Sequence, residues 1–406
     1  RAVIRDVGRA LDLSYSTVDQ VAKMIPQEIG ITIKKALEIN PELRDIYNSD
    51  DEIKFLIDMS LRLEGLPRHS STHAAGVVIS KEPIVEYVPL ARSSDSSVTT
   101  QFPMTTLEEL GLLKMDFLGL RTLTVIQNAL NLANRKLDAN EKINIDLVGF
   151  NDSKVYDMIS NGKTMGVFQL ESSGMTSFMK ALKPDSLEDV IAGIALYRPG
   201  PMDFIPKYLK GKSNPKAVTY ECKELEHILA TTYGCIVYQE QVIQIFRDLA
   251  GYSLGRADIV RRAMSKKRLD VMEKERKNFV YGNKEENIPG CVHKGISEKV
   301  ANEIFDEMTD FAKYAFNKSH AAAYAVLSYQ TAYLKCYHPV EFMAALMNSV
   351  IDNSSKVAQY IEHCKHLGIK IVPPDINEGE SGFSVSNGNI RYGLSAIKGL
   401  GKSVID

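Results

Sequence analysis

The amino-acid sequence predicts an α+β protein, predominantly helical, on three observations. Apolar residues recur at a spacing near 3.6 through residues 1–70. Short apolar runs at 77–79 and 112–117 read as strands. From about residue 151 helical patterning dominates until Asn387-Gly388, which lies between two short apolar runs and signals a β-hairpin.

The elements follow in order. Ala2, Val7, Ala10 and Leu11 give one helical face. Ile53, Leu56, Ile57 and Leu61 give another, which Gly65-Leu66-Pro67 brings to an end. Val77-Val78-Ile79 is a strand, and Pro83, Pro89 and the polar run 92–97 are loop material. In Leu112-Leu113-Lys114-Met115-Asp116-Phe117-Leu118-Gly119-Leu120 a short strand ends in a turn that feeds a helix. Side chains alternate along a strand, so Leu113, Met115 and Phe117 share one face, expected to be buried. Lys114 and Asp116 share the other. A carboxylate and an ammonium side by side suit a site for metal and phosphate, or form the exposed ion-pair face of an edge strand. Thr122 starts a helix through Val125, Ile126 and Leu130. Residues 211–215 and 281–290 read as loops, the second as a mobile one. Ser319 opens an Ala-rich helix to about Lys335.

A chain of 406 residues exceeds one ordinary core, so two or three domains are expected. At 44% apolar and 25% charged the composition is that of a soluble globular protein. With a net charge of −2, nucleic-acid contact requires local basic patches rather than a global field. No apolar run reaches membrane-spanning length, and no signal peptide is visible. The five cysteines are scattered and form no CxxC pair, which argues against a disulfide framework and fits a reducing cytosol. His363, Cys364 and His366 lack a second ligand pair at zinc-like spacing and read as helix-surface residues. The sequence opens on Arg1 inside a helical pattern and stops in mid-pattern at Asp406, so it is expected to be a piece of a longer protein.

Residues 256–277 hold nine basic and four acidic residues, a local excess of five positive charges. Such a segment suits triphosphate or a nucleic-acid backbone, or is a solvated helix with internal pairs such as Asp270 with Lys274. In Asn317-Lys318-Ser319-His320, Ser319 is the expected N-cap of a helix whose free amides, with Lys318 and His320, would attract anions. Tyr197-Arg198-Pro199-Gly200-Pro201 is a rigid turn presenting Arg198 for phosphate recognition or for local carbonyls. Tyr233 and Tyr238 offer stacking surfaces or belong to the core. Glu240 opens a helix and complements its dipole. His69 and His73 are spaced as metal ligands on a helix would be, but Gly76 and the strand after it argue for a loop. Ile397-Lys398-Gly399-Leu400-Gly401 has the look of a helix-hairpin-helix turn.

Taken in order, His69-Ser70-Ser71-Thr72-His73-Ala74-Ala75-Gly76-Val77-Val78-Ile79, the Leu112–Leu120 run, Gly166-Val167-Phe168-Gln169-Leu170-Glu171-Ser172, Ala195-Leu196-Tyr197-Arg198-Pro199-Gly200-Pro201, Tyr233-Gly234-Cys235-Ile236-Val237-Tyr238-Gln239-Glu240-Gln241, Arg261-Arg262-Ala263-Met264-Ser265-Lys266-Lys267 and Phe316-Asn317-Lys318-Ser319-His320 closely resemble the C-family replicative DNA polymerases of bacteria, those of the polymerase III alpha-subunit type. The resemblance spans nearly the whole chain. It implies a thumb-like helical segment at 1–70, a second palm segment with part of a nucleotidyltransferase-like sheet at 71–121, helical fingers at 122–395 and the start of a helix-hairpin-helix region at 396–406. It implies template-directed, Mg²⁺-dependent addition of a dNTP to a primer 3′-hydroxyl. Asp116 is then one of three catalytic aspartates and a metal ligand. The other two belong to an upstream Asp-x-Asp pair, which occurs nowhere in this sequence, so the piece alone is expected to be inactive. Nucleotide or DNA contacts fall to Lys114, Arg198, Tyr238, Arg261, Arg262, Lys266, Lys267, Lys318 and His320. The implied partners are primer-template DNA and dNTPs, with a sliding clamp and other replisome subunits for the parent protein, in the cytoplasm at the nucleoid and without a membrane. An error-prone or accessory C-family polymerase, or a non-catalytic DNA-binding module, are the alternatives.

Overall fold

The helical periodicity of the N-terminal region resolves into α1 (Ala2–Ala10), α2 (Tyr15–Met24), α3 (Ile33–Ile39), α4 (Pro41–Ser49) and α5 (Asp51–Leu63). Their apolar stripes close on one core containing Ile4, Val7, Val18, Val21, Leu43 and Leu56. Side chains set the breaks. Asn40 Oδ1 accepts from the Glu42 and Leu43 N–H groups, and Pro41 occupies the first turn, where its missing N–H costs nothing. Asp50 caps α5 through Glu52 and Ile53 in the same way. The computed structural model describes residues 1–26, 30–66, 72–92, 96–135, 137–198, 200–265, 269–312 and 315–405. The chain forms two compact units, Arg1–Gly119 and Leu120–Asp406.

The first unit continues with β1 (Gly76–Ile79), β2 (Leu90–Arg92), β3 (Val98–Thr100), α6 (Met104–Glu109) and β4 (Leu113–Asp116). β1 and β4 pair antiparallel with Gly76 opposite Asp116 and Val78 opposite Lys114. β2 and β3 form a separate antiparallel pair. The expected burial on β4 is reversed. Leu113, Met115 and Phe117 are exposed, with Leu113 at 58%, whereas the Lys114 side chain is only 15% exposed. The reason is where the small core lies. Val88, Leu107 and Leu112 pack under Val78, on the face that also carries Lys114, and leave the opposite apolar face bare.

The second unit contains α7 (Arg121–Asn134), α8 (Ser153–Ser160), α9 (Ser173–Leu182), α10 (Leu187–Leu196), α11 (Ile205–Ser213), α12 (Glu226–Leu229), α13 (Gln239–Ala250), α14 (Leu254–Ser265), α15 (Leu269–Tyr281), α16 (Glu298–Ala312), α17 (Lys318–Tyr337), α18 (Pro339–Ser349), α19 (Ser354–His366) and α20 (Lys402–Ile405). One core gathers α13 to α16 around Phe246, Phe279 and Phe305. A second gathers α8, α9 and α10, and a third gathers α7, α18 and α19. Helix α17 belongs to both of these, with Ala321, Ala325, Tyr329 and Ala332 in one and Leu334 in the other. Its alanines face α10, where small side chains permit close packing. The expected hairpin is present. β6 (Ser384–Ser386) and β7 (Asn389–Arg391) pair antiparallel about Asn387 and Gly388, both at positive φ, and β5 (Ile371–Val372) adds parallel to β7.

Several local expectations are corrected. Residues 211–213 are the last turn of α11, which ends at Ser213 with Asn214 as its C-cap, just before Pro215. The 281–290 segment is a loop beyond Tyr281, as expected, and Asn283 and Ile288 exchange backbone hydrogen bonds of 2.8 and 2.9 Å that close it into a tight turn. Helix α17 is capped by Asn317, whose side chain accepts from the His320 N–H, so Ser319 lies inside the helix. Cys364 is fully buried in the third core and His363 is half-buried, so neither is a plain surface residue. Burial depresses the His363 imidazole to about 4. Among the described residues no helix is long and apolar enough to cross a membrane.

A buried charge pair holds α10 to α11. Lys212 Nζ lies 2.6 Å from Asp189 Oδ2, with side chains 13% and 4% exposed, and the Asp185 N–H and Ser186 hydroxyl also donate to Asp189. Removing Asp189 leaves the buried Lys212 ammonium with only the exposed Asp185 carboxylate, 3.5 Å away. Asp189→Ala should lower unfolding free energy by about 3–5 kcal/mol, measured by chemical denaturation. A loss below about 1 kcal/mol would mean that the pair is solvated like a surface ion pair.

Candidate active site

The Asp116 site is built from two backbone facts. Antiparallel pairing sets Asp116 directly across from Gly76, and Val78 across from Lys114. Cross-strand neighbours on one face are close enough for their side chains to touch. Lys114 Nζ donates to Asp116 Oδ1 at 2.5 Å, and this contact holds the Asp116 carboxyl below the usual carboxylate range. Asp116 keeps 43% of its side-chain surface, so its free oxygen stays open to solvent. Gly76 makes the arrangement possible. A Cβ there would lie 2.7 Å from Lys114 Cε, 2.8 Å from His73 Nδ1 and 3.0 Å from Asp116 Oδ1. His73 Nδ1 is 3.8 Å from Asp116 Oδ1 but accepts from the Ala75 and Gly76 N–H groups, so that nitrogen carries no proton for the carboxylate. Thr72, His73, Gly76, Val78 and Lys114 border a cleft of about 430 Å³.

Two Mg²⁺ ions require several carboxylate oxygens. Among the described residues no group of three or more His, Cys, Asp or Glu side chains comes together. Asp116 offers one carboxylate, so the donors among the described residues do not by themselves fit a two-metal site. His69 lies outside the described residues.

In the second unit, three motifs far apart in sequence meet. Tyr238 and Phe316 form a parallel bridge, and the Gln239 N–H donates to the Phe316 carbonyl at 2.9 Å. The exposed Arg198 guanidinium lies over the Phe316 ring, 4.1 Å from its centroid. The exposed His320 ring stands edge-on to Phe316 at 5.3 Å and tilts against Tyr324 at 4.1 Å. Arg198 and His320 therefore flank one aromatic ring, and a stacked guanidinium keeps its N–H edge free for phosphate. Pro199, part of the expected rigid turn, lies outside the described residues.

Two expectations for this region fail. Tyr238 is no stacking platform. It is 1% exposed, its hydroxyl has no partner, and Lys318 Nζ sits 5.2 Å above its ring. Two of the amides opening α17 are already taken by the protein itself. The Lys318 N–H donates to the Glu240 carboxylate at 3.0 and 3.1 Å, and Asn317 takes the His320 N–H. The protein's own carboxylate fills the anion site, while Lys318 Nζ pairs with Glu188 at 3.2 Å. Glu240 thus stands in the first turn of its own helix, as expected, and also serves the helix of another motif. No spacing rule shows this, because the two residues are 78 positions apart.

Among the described residues of the basic segment, most cations are paired with carboxylates. Arg261 and Arg262 both pair with Asp258, at 2.7 and 2.8 Å. Arg256 bridges Glu275 and Glu286, Lys274 reaches Glu286, and Arg276 pairs with Asp306. Glu286 and Asp306 lie beyond the segment, which is why the local charge count overstated the field. Arg262 is the exposed member of its pair, with 70% of its side chain open, while Arg261 is tucked in. Lys266 and Lys267 lie outside the described residues, as does the side chain of Asp270 in the expected pair with Lys274. Sequence reasoning missed Gly76 and Phe316. Both stood inside quoted motifs, but only the strand register and the Arg198 contact disclose their roles.

The sequence is similar throughout its length to known proteins. Residues 1–119 match the family model described as the bacterial DNA polymerase III alpha NTPase domain, 122–287 that of the alpha-subunit finger domain, and 368–406 that of a helix-hairpin-helix motif. The chain is 44% identical over 405 residues to a DNA polymerase III subunit alpha of Bacillus subtilis, 46% over 409 residues to that of Thermus aquaticus, and 44% over 417 residues to that of Escherichia coli K12. These alignments cover 99–100% of this chain and 33–35% of each relative, so the chain spans about a third of their length. It belongs to the bacterial DNA polymerase III alpha-subunit family.

The Lys114 contact makes a direct forecast. In Lys114→Met the Asp116 carboxyl loses the donor that favours its ionised form, so it should protonate at higher pH, back toward the ordinary carboxylate value. The carboxyl ¹³C shift of Asp116 followed against pH measures this. An unchanged midpoint would mean that the contact is not made in solution.

Proposed function

We propose that this chain is the section of a replicative DNA polymerase that carries one palm strand and the fingers, in a parent protein that adds dNTPs to a primer 3′-hydroxyl under template direction. The observation that carries this reading is the exposed Asp116 carboxylate, set over the bare Cα of Gly76 at the end of β4, in a chain similar throughout to alpha subunits. On this reading 1–70 acts as thumb, 71–121 as the second palm segment, 122–395 as fingers, and 396–406 opens the helix-hairpin-helix region. The bare apolar face of β1 and β4 supports an incomplete sheet, since exposed Val77, Ile79, Leu113 and Met115 ask for a covering layer.

The family implies divalent-metal chemistry. Asp116 adds one carboxylate to a donor set completed outside this chain. Lys114, on the same face, is placed to leave Asp116 and meet primer or phosphate. Arg198, held flat on Phe316, presents its N–H edge to triphosphate oxygens, with His320 beside it. Arg262 is the member of the α14 pair open to phosphate, and Lys266 and Lys267 extend that motif. Arg261 and Lys318 serve mainly to hold Asp258 and Glu188 in place. The partners are primer-template DNA and dNTPs, and for the parent protein a sliding clamp and other replisome subunits, in the cytoplasm at the nucleoid. Taken alone, with one carboxylate at the site, the chain is a non-catalytic nucleic-acid-binding piece.

Primer extension by the full-length protein tests this. Asp116→Ala should cut extension by about 10³-fold or more, the loss expected when charge stabilisation at the reacting centre is removed, with primer-template binding retained. Arg198→Ala should raise KM for dNTP by about tenfold. Extension that survives the loss of Asp116 would return that residue to a structural ion pair.

A further inference from the structure

His73 stands where a short polar side chain ordinarily stands. Its Nδ1 accepts from the N–H groups two and three residues on, Ala75 at 3.1 Å and Gly76 at 2.6 Å. That is the pattern by which Asn and Asp fold a turn on their own side-chain oxygen. On the far side of the same turn, the Ala75 carbonyl accepts from the Phe117 N–H at 2.9 Å, one step past the β1–β4 register. The turn is therefore clamped from two directions at the residue before Gly76. Gly76 is the position opposite Asp116, and its missing Cβ is what lets Lys114 and Asp116 close over it. A turn that relaxed would move Gly76, and with it the ground on which Asp116 rests.

We propose that His73 is a positioning residue for Asp116, acting through its unprotonated Nδ1 as an Asn-like acceptor that fixes the 73–76 turn. This rests on the reading of Asp116 as part of the polymerase site. The imidazole is not a proton donor to Asp116, because the nitrogen facing the carboxylate, 3.8 Å away, is already the acceptor for two amides. Asparagine carries an acceptor at the same δ1 position, so it should replace histidine. Alanine, which has none, should not.

Two variants of the full-length protein, His73→Asn and His73→Ala, test this by hydrogen–deuterium exchange and by primer extension. In His73→Ala the Ala75 and Gly76 amides should exchange about tenfold faster or more, as a locally opened turn does. Its kcat should fall by about 10²-fold through misplacement near the reacting centre, with KM for dNTP unchanged. In His73→Asn both the slow exchange and kcat should return to within about threefold of the unaltered protein, because an Asn side chain makes the same turn. His73→Asn as impaired as His73→Ala would overturn the proposal and point to the ring itself. Unchanged exchange in His73→Ala would also overturn it. The exchange readout does not pass through catalysis, so it stands or falls independently of the role given to Asp116.

Discussion

The antiparallel register between β1 and β4 puts a residue without a side chain across from Asp116, and the candidate site is a consequence of that pairing. A slip of one residue would turn Lys114 and Asp116 to the other face and oppose them to Val77 or to a residue outside the strand. The register also fixes which face has a core behind it. Val78 packs on Leu107 and Val88, so the polar pair lies on the supported side, where Lys114 is largely covered and Asp116 is held by it. Support under the polar face and a bare apolar face opposite together describe a sheet that needs further strands or helices to be complete.

In the second unit the comparable constraint is the meeting of the 237–239 and 315–317 segments. The Gln239–Phe316 hydrogen bond and the Glu240 carboxylate on the Lys318 amide hold the start of α17 against the start of α13. The exposed cations nearby are held by stacking. Arg198 on Phe316 and His320 against Tyr324 are oriented by rings that themselves pack against the second core. Pre-orienting a guanidinium in this way reduces the side-chain entropy lost on binding phosphate. The α14 and α15 cations are mostly spent on carboxylates of their own unit, so recognition there falls to the few left open.

Much of the architecture was legible. Period-3.6 patterning located the N-terminal helices, Asn387-Gly388 located the hairpin, and the Leu112–Leu120 run located a strand leading to a helix. Alternation alone could not say which side of β4 is buried, because that depends on where α6 and the 84–90 segment pack. Tyr238 shows a related limit: an aromatic beside a polar motif is read equally as platform or core, and the tertiary fold made it core. The charge of the 256–277 segment was counted correctly but its field was not, since Glu286 and Asp306 reach in from outside. Helix-end arithmetic likewise could not foresee Glu240 capping a helix 78 residues away.

On the proposed reading, Asp116 lends its carboxylate to a metal site completed by residues outside this chain. The most direct measurement is the anomalous scattering of Mn²⁺ in crystals of the full-length protein with primer-template and dNTP. A metal peak should lie about 2.0–2.2 Å from an Asp116 oxygen, with Lys114 displaced from that carboxylate. Metal peaks held entirely by other residues, with Asp116 still bound to Lys114, would contradict it.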